Sequence, residues 1–218
     1  MKTQSGSNYV IYIPDHPNRM VIYLHAHGDF PASKGRKSRT KYNFREEVAE
    51  AIYDENTIAF AAKFGSGITD KVRDFLKKYD ISNVIVSGWS VGGTDAVLLA
   101  SYLASSNLDL KVLLIDANYT NTVRDSSYKK LKGVPISYLS SFSSRIKTKH
   151  ISKIINHGLL KEYLKVKLPV GFKGSHHRYC RDSTLNYHLY KYIFGGPLNT
   201  EKYKVGYWDP KKKAIVFK

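Results

Sequence analysis

The sequence predicts an α/β fold: a three-layer sandwich around a mostly parallel, twisted sheet of about seven strands, with an antiparallel edge strand and no large lid domain. The first observation behind this is alternation, since short β-branched and aromatic runs recur with helical patterns between them. The second is that runs such as VIVSG and VLLID are apolar at successive positions, as strands covered on both faces require. The third is size. A chain of 218 residues with 42% hydrophobic content buries one sizeable core and is read as a single domain.

The expected strands are Tyr9 to Ile13, Met20 to His25, Thr57 to Ala62, Asn83 to Ser87, Lys111 to Ile115, Val134 to Leu139 and Leu168 to Phe172. Helices are expected at Tyr42 to Tyr53, Thr69 to Tyr79, Gly93 to Ser105, Lys149 to Lys165 and Ser183 to Phe194, with Thr69 and Asp182 as capping residues. Only Pro14 to Arg19 separates the first two strands, too short for a parallel crossover, so they are expected to form a hairpin. Residues 1–196 read as the α/β domain. Residues 197–218 read as a hairpin extension packed on that domain, turning at Asp209-Pro210-Lys211 after Gly195-Gly196-Pro197.

Composition bounds the partners. Thirty-five Lys and Arg against 18 Asp and Glu give a net charge of +17, which attracts polyanions such as nucleic acid, acidic polymers or anionic headgroups. A generally basic solvated surface gives the same count. The single cysteine, Cys180, has no internal disulfide partner, and no apolar stretch is long enough to span a bilayer or to act as a signal peptide at the start, so the cytoplasm is the expected compartment. No metal-ligand spacing, P-loop or dinucleotide fingerprint is present, and no cofactor is implied.

The motif that carries chemistry is Gly88-Trp89-Ser90-Val91-Gly92, which fits G-x-S-x-G between an expected strand and an expected helix. A serine at such a turn sits on a strained backbone, and small residues two before and two after it avoid collision with that backbone. Gly88 and Gly92 supply them, and Ser90 is the candidate nucleophile.

With this elbow and its flanking elements, the segment from about Tyr9 to Phe194 resembles the α/β-hydrolase superfamily, whose triad runs serine, acid, histidine along the chain. The resemblance implies one oxyanion-hole donor at the backbone N–H of Val91. It implies a second in the HG-type segment His27-Gly28, at the N–H of Asp29 or, as the alternative, Phe30; His27, Gly28 and Trp89 then border the substrate. The histidine is expected after the final strand, at His176 or its neighbour His177. The commoner position for the acid, after the seventh strand, reads SSFSSRIKTKH and holds no carboxylate. Asp116, at the end of VLLID after the sixth strand, is therefore the candidate acid, with Glu162 and Asp125 as alternatives.

The resemblance implies an ester-type substrate, with thioesters and amides open to the same chemistry. PASKGRKSRTKY follows the oxyanion segment, so Arg36, Lys37 and Arg39 are expected to rim the site and favour an anionic acyl or polymer substrate. The competing expectation is a non-catalytic binding protein that keeps the fold while its basic surface engages nucleic acid or another polyanion.

Overall fold

The computed structural model describes residues 1–6, 9–24, 54–63, 67–117, 120–140, 151–166 and 189–217. Strand formation follows the apolar runs. β1 (Lys2–Gly6), β2 (Tyr9–Ile13), β3 (Arg19–Leu24), β4 (Thr57–Ala62), β5 (Asn83–Trp89), β6 (Asp109–Ile115), β7 (Ile136–Ser140), β8 (Leu160–Val166), β9 (Tyr203–Asp209) and β10 (Ala214–Phe217) form one sheet in the order β1-β2-β4-β3-β5-β6-β7-β8-β9-β10. The pairs from β4 through β8 are parallel, while β1-β2, β2-β4, β8-β9 and β9-β10 are antiparallel. The carboxyl ends of β3 to β8 thus gather at one edge, where α/β sheets place their ligands.

Helices α1 (Ile68–Lys78), α2 (Gly92–Leu103), α3 (Asp125–Lys130) and α4 (Ser152–Asn156) supply the crossovers. Their buried side chains, including Val72, Val97, Tyr128 and Ile154, share one core with Ile22, Val86 and Val112 from the sheet. The other face buries Tyr23, Ile85, Leu113 and Leu164 beneath a helical turn at 189–193 that contributes Leu189, Tyr190 and Ile193. The covering turn is tied down by polar contacts: the Tyr190 hydroxyl donates to Ser87 Oγ at 2.8 Å and the Tyr192 hydroxyl to Glu162 Oε2 at 2.5 Å. Among the described residues, no helix is long and apolar enough to cross a membrane.

Four expectations are corrected. The helix read over Lys149 to Lys165 is a short α4 followed by strand β8. Leu160, Tyr163 and Leu164 have helical spacing, but Glu162, Leu164 and Val166 alternate onto one face. Glu162 is only 2% exposed because Ser137 and Tyr192 both donate to its carboxylate. Second, β2 does not form a hairpin with β3. It pairs with β4, and β3 sits between β4 and β5, so both of its edges are taken by parallel neighbours. Third, among the described residues the sheet holds ten strands, because the polar segment Lys2–Gly6 pairs with β2 and the tail adds β9 and β10 to the far side of β8. The helix expected at Tyr42 to Tyr53 and the strand expected at Leu168 to Phe172 lie outside the described residues. Fourth, helix α1 begins from Gly67, at φ 82°, rather than from a Thr69 cap.

At the amino end of β3, Arg19 donates to Asp54 Oδ2 at 2.6 Å and to Thr57 Oγ1 at 2.8 Å, with its guanidinium 4.7 Å from the centre of the Phe194 ring. Burial acts to raise the Asp54 pKa, but hydrogen bonds from Thr57, Asn56 and Arg19, with the Arg19 charge, outweigh it and hold the carboxyl below its usual value. A carboxyl whose folded pKa is depressed contributes stability above its unfolded pKa and loses it as pH falls through the folded one. Asp54→Asn is therefore expected to cost about 1.5–3 kcal/mol at neutral pH. The same substitution flattens the acid limb of a urea-derived stability curve, and a parallel shift of the whole curve would contradict the assignment.

Candidate active site

β5 carries its ladder to its last residue and then turns sharply. Ser90 has φ 55°, left-handed backbone that a non-glycine residue adopts at a cost of about 1–2 kcal/mol. Its N–H donates to Ile115 O at 2.9 Å, so the strained residue is held by β6. The first turn of α2 closes behind it, with Gly93 N–H donating to Ser90 O at 3.1 Å and Thr94 N–H to Val91 O at 2.9 Å. A β-carbon on Gly88 would fall on the Gly92 carbonyl and 2.7 Å from Gly93 N, so the strand and helix meet this closely only because residue 88 is glycine. Ser90 itself is half-buried, with its side chain at the sheet's carboxyl edge.

β6 ends in the same way one strand over. Asp116 has φ 45° and donates its N–H to Leu139 O at 2.8 Å, and it is fully buried. Since Trp89 pairs with Ile115, Ser90 and Asp116 follow adjacent strands at the same level. Behind the carboxylate, Tyr138 and Tyr163 stack with ring centres 5.5 Å apart. Burial first, and then the Asp116 charge, pushes the Tyr138 phenol well above its ordinary pKa. The same two causes raise Tyr163, against a hydrogen bond shared with the Ser140 side chain.

The two alternative acids are occupied elsewhere. Glu162 is aligned with Ser137, below the end of β7, where it accepts from Ser137 Oγ at 2.7 Å. Asp125 starts α3 with its side chain 64% exposed and 3.1 Å from Lys153 Nζ. Trp89 is 3% exposed and packs into the core beneath residues 189–193. Val91 is half-buried at the start of α2. His27, Gly28, Asp29, Arg36, Lys37, Arg39, His176 and His177 lie outside the described residues. Among the described residues, no three His, Cys, Asp or Glu side chains converge as a metal site.

Sequence reasoning missed Gly93 and the tyrosine pair. A β-carbon on Gly93 would collide with Ala117 Cβ, so the second glycine of GG sets how closely α2 approaches the segment after Asp116. The doubled glycine was the available signal. For Tyr138 and Tyr163 no local signal exists, because their meeting depends on the pairing of β7 with β8.

The comparisons with known proteins agree with this geometry. Residues 28–123 match the family Lipase (class 3). No match is found among curated proteins. Among solved structures, an α/β hydrolase enzyme from the metagenome of sediments from the lagoon of Mar Chica, Morocco, is 11% identical with a TM-score of 0.53, covering 89% of this chain and 98% of its own. Brefeldin A esterase, a bacterial homologue of human hormone sensitive lipase, is 11% identical with a TM-score of 0.52, covering 89% and 75%. Carboxyl esterase 2 from the mycorrhizal fungus Tuber melanosporum is 10% identical with a TM-score of 0.51, covering 85% and 83%. The sheet order and these structural likenesses show that the chain has the α/β-hydrolase fold, with a strained serine after β5.

Proposed function

We propose that the protein is a serine hydrolase acting on esters, with Ser90 as nucleophile, Asp116 as the acid, His176 or His177 as the base, and the N–H groups of Val91 and Asp29 as oxyanion donors. The observation that carries this reading is the pair of left-handed residues, Ser90 and Asp116, at the ends of adjacent parallel strands. Left-handed backbone at a non-glycine residue persists only where its surroundings enforce it, and such strain gathers at sites that use it. The Lipase (class 3) match takes in both residues, and the esterases among the structural neighbours support an ester substrate.

The mechanism follows from the roles. A serine hydroxyl attacks an ester carbonyl once a histidine takes its proton, and the acid orients that histidine and stabilises its charged form. The N–H of Val91, at the start of α2, would meet the oxyanion in the transition state, where one such donor contributes about 3 kcal/mol. His27 and Gly28 would border the substrate, whereas Trp89, packed in the core beneath residues 189–193, would support the elbow from below. Arg36, Lys37 and Arg39, in the segment after the oxyanion loop, would favour an anionic acyl group or polymer.

Hydrolysis of a short-chain activated ester tests this. Ser90→Ala abolishes activity, His176→Ala matches it in severity, and His177→Ala is milder. Were the segment holding His176 and His177 extended, successive side chains would face opposite sides, which is the basis of this order. Full activity in Ser90→Ala ends the reading, and the reverse histidine order transfers the base to His177.

A further inference from the structure

Ser90 occupies the carboxyl edge of the sheet; the amino edge carries a different surface. Because β9 runs antiparallel to β8, with Val166 opposite Tyr203 and Tyr163 opposite Gly206, the turn at 210–213 projects past the first residues of β8 at that amino edge. Lys211, Lys212 and Lys213 are exposed there, beside exposed Lys132 in the turn before β7 and Lys161 at the start of β8. Among the described residues none of these lysines forms an ion pair, whereas Lys111 and Lys153 on the neighbouring elements are taken up by Asp109 and Asp125. The one carboxylate in the turn, Asp209, accepts the N–H groups of Lys211 and Lys212 and so shapes it. Two exposed aromatic residues lie toward the same edge: Tyr102, 47% exposed at the end of α2 with Lys130 Nζ 5.9 Å from its ring centre, and Tyr207, 41% exposed on β9.

We propose that this amino edge is a docking surface for an anionic lipid bilayer, with the lysines meeting the headgroups and the two tyrosines at the interfacial level. Unpaired lysines gain from a negatively charged leaflet, and tyrosine is at home where an apolar ring meets water and headgroups. The alternative polyanion, a nucleic acid strand, is disfavoured by the placement of the rings. Tyr102 belongs to the helix layer on one side of the sheet, and Tyr207 shares the opposite face with Tyr203 and Val205, so the two offer no common platform on which bases could stack. An edge that spans the layers presents a broad surface, which suits a planar bilayer. Docking of this kind leaves Ser90 about 20 Å away, one strand length, on the side facing the solvent. The surface is therefore independent of the hydrolase reading.

Co-sedimentation of the full chain with vesicles tests it. The protein is expected to bind vesicles of phosphatidylcholine mixed with phosphatidylserine, not phosphatidylcholine alone, with binding that falls as salt rises. Replacing Lys211, Lys212 and Lys213 together by serine weakens binding by about tenfold or more, the corresponding arginine variant retains it, and Ser90→Ala leaves it unchanged. All of these lysines are exposed, so the variants keep the fold, checked by circular dichroism. Equal binding to both vesicle types, no binding to either, an unaffected serine variant, or tighter binding to a single-stranded oligonucleotide than to the phosphatidylserine vesicles would each overturn the proposal.

Discussion

Replacing Gly88 by alanine is expected to destabilise the protein by more than about 3 kcal/mol, the range reached when a packed site is overfilled and cannot relax. The added methyl group meets the Gly92 carbonyl and Gly93 N, all of it backbone, so no rotamer change relieves the clash. Relief requires α2 to move away from β5, and α2 brings Ala96, Val97 and Ala100 into the core. Gly158→Ala is the matched control. Gly158 has φ +65° with open space around a built β-carbon, so its substitution carries only the left-handed backbone cost of about 1–2 kcal/mol. Urea midpoints of the two variants compare them directly. Equal losses would show that the elbow is looser than the strand and helix geometry makes it.

Asp116→Asn is expected to lower kcat of ester hydrolysis by about 10²- to 10⁴-fold, the scale of losing the group that fixes the histidine's tautomer and charge. The fold should survive this change. Asparagine tolerates positive φ, and the bond from residue 116 N–H to Leu139 O is made by backbone. Circular dichroism and the urea midpoint therefore stay near wild type while the rate collapses. A rate that is unchanged in Asp116→Asn but lost in Glu162→Gln or Asp125→Asn would relocate the acid.

What the sequence reveals and conceals has physical causes. The elbow is legible because everything it needs lies within a few residues: a β-branched run, a serine between glycines, and the apolar helix GGTDAVLLASYL. The position of Asp116 is legible because it follows an apolar strand at the same edge, while its role as the acid rests on the rate of Asp116→Asn. Strand β8 is hidden because a carboxylate buried at Glu162 reverses the ordinary reading of charge as surface, and its satisfying hydroxyls come from residues 25 and 30 positions away. Strand β1 is hidden because KTQSG is a polar edge strand, exposed along most of its length, whose pairing with β2 is its only recommendation. The neighbours of β2 are a long-range property; the short link to β3 suggested a hairpin, yet β4 takes the position between them. The segments expected to supply the histidine, the second oxyanion donor and the basic rim lie outside the described residues, so their part rests on the ester-hydrolysis variants.

The central claim is that Ser90 is an activated nucleophile, and covalent labelling by a serine-directed phosphonate measures it most directly. Intact-mass analysis of the labelled protein is expected to show one adduct, with peptide mapping placing it on Ser90. The adduct should be absent in Ser90→Ala and slowed in Asp116→Asn. A folded wild-type protein that takes no label, or takes it at another serine while Ser90→Ala labels equally well, would contradict the account.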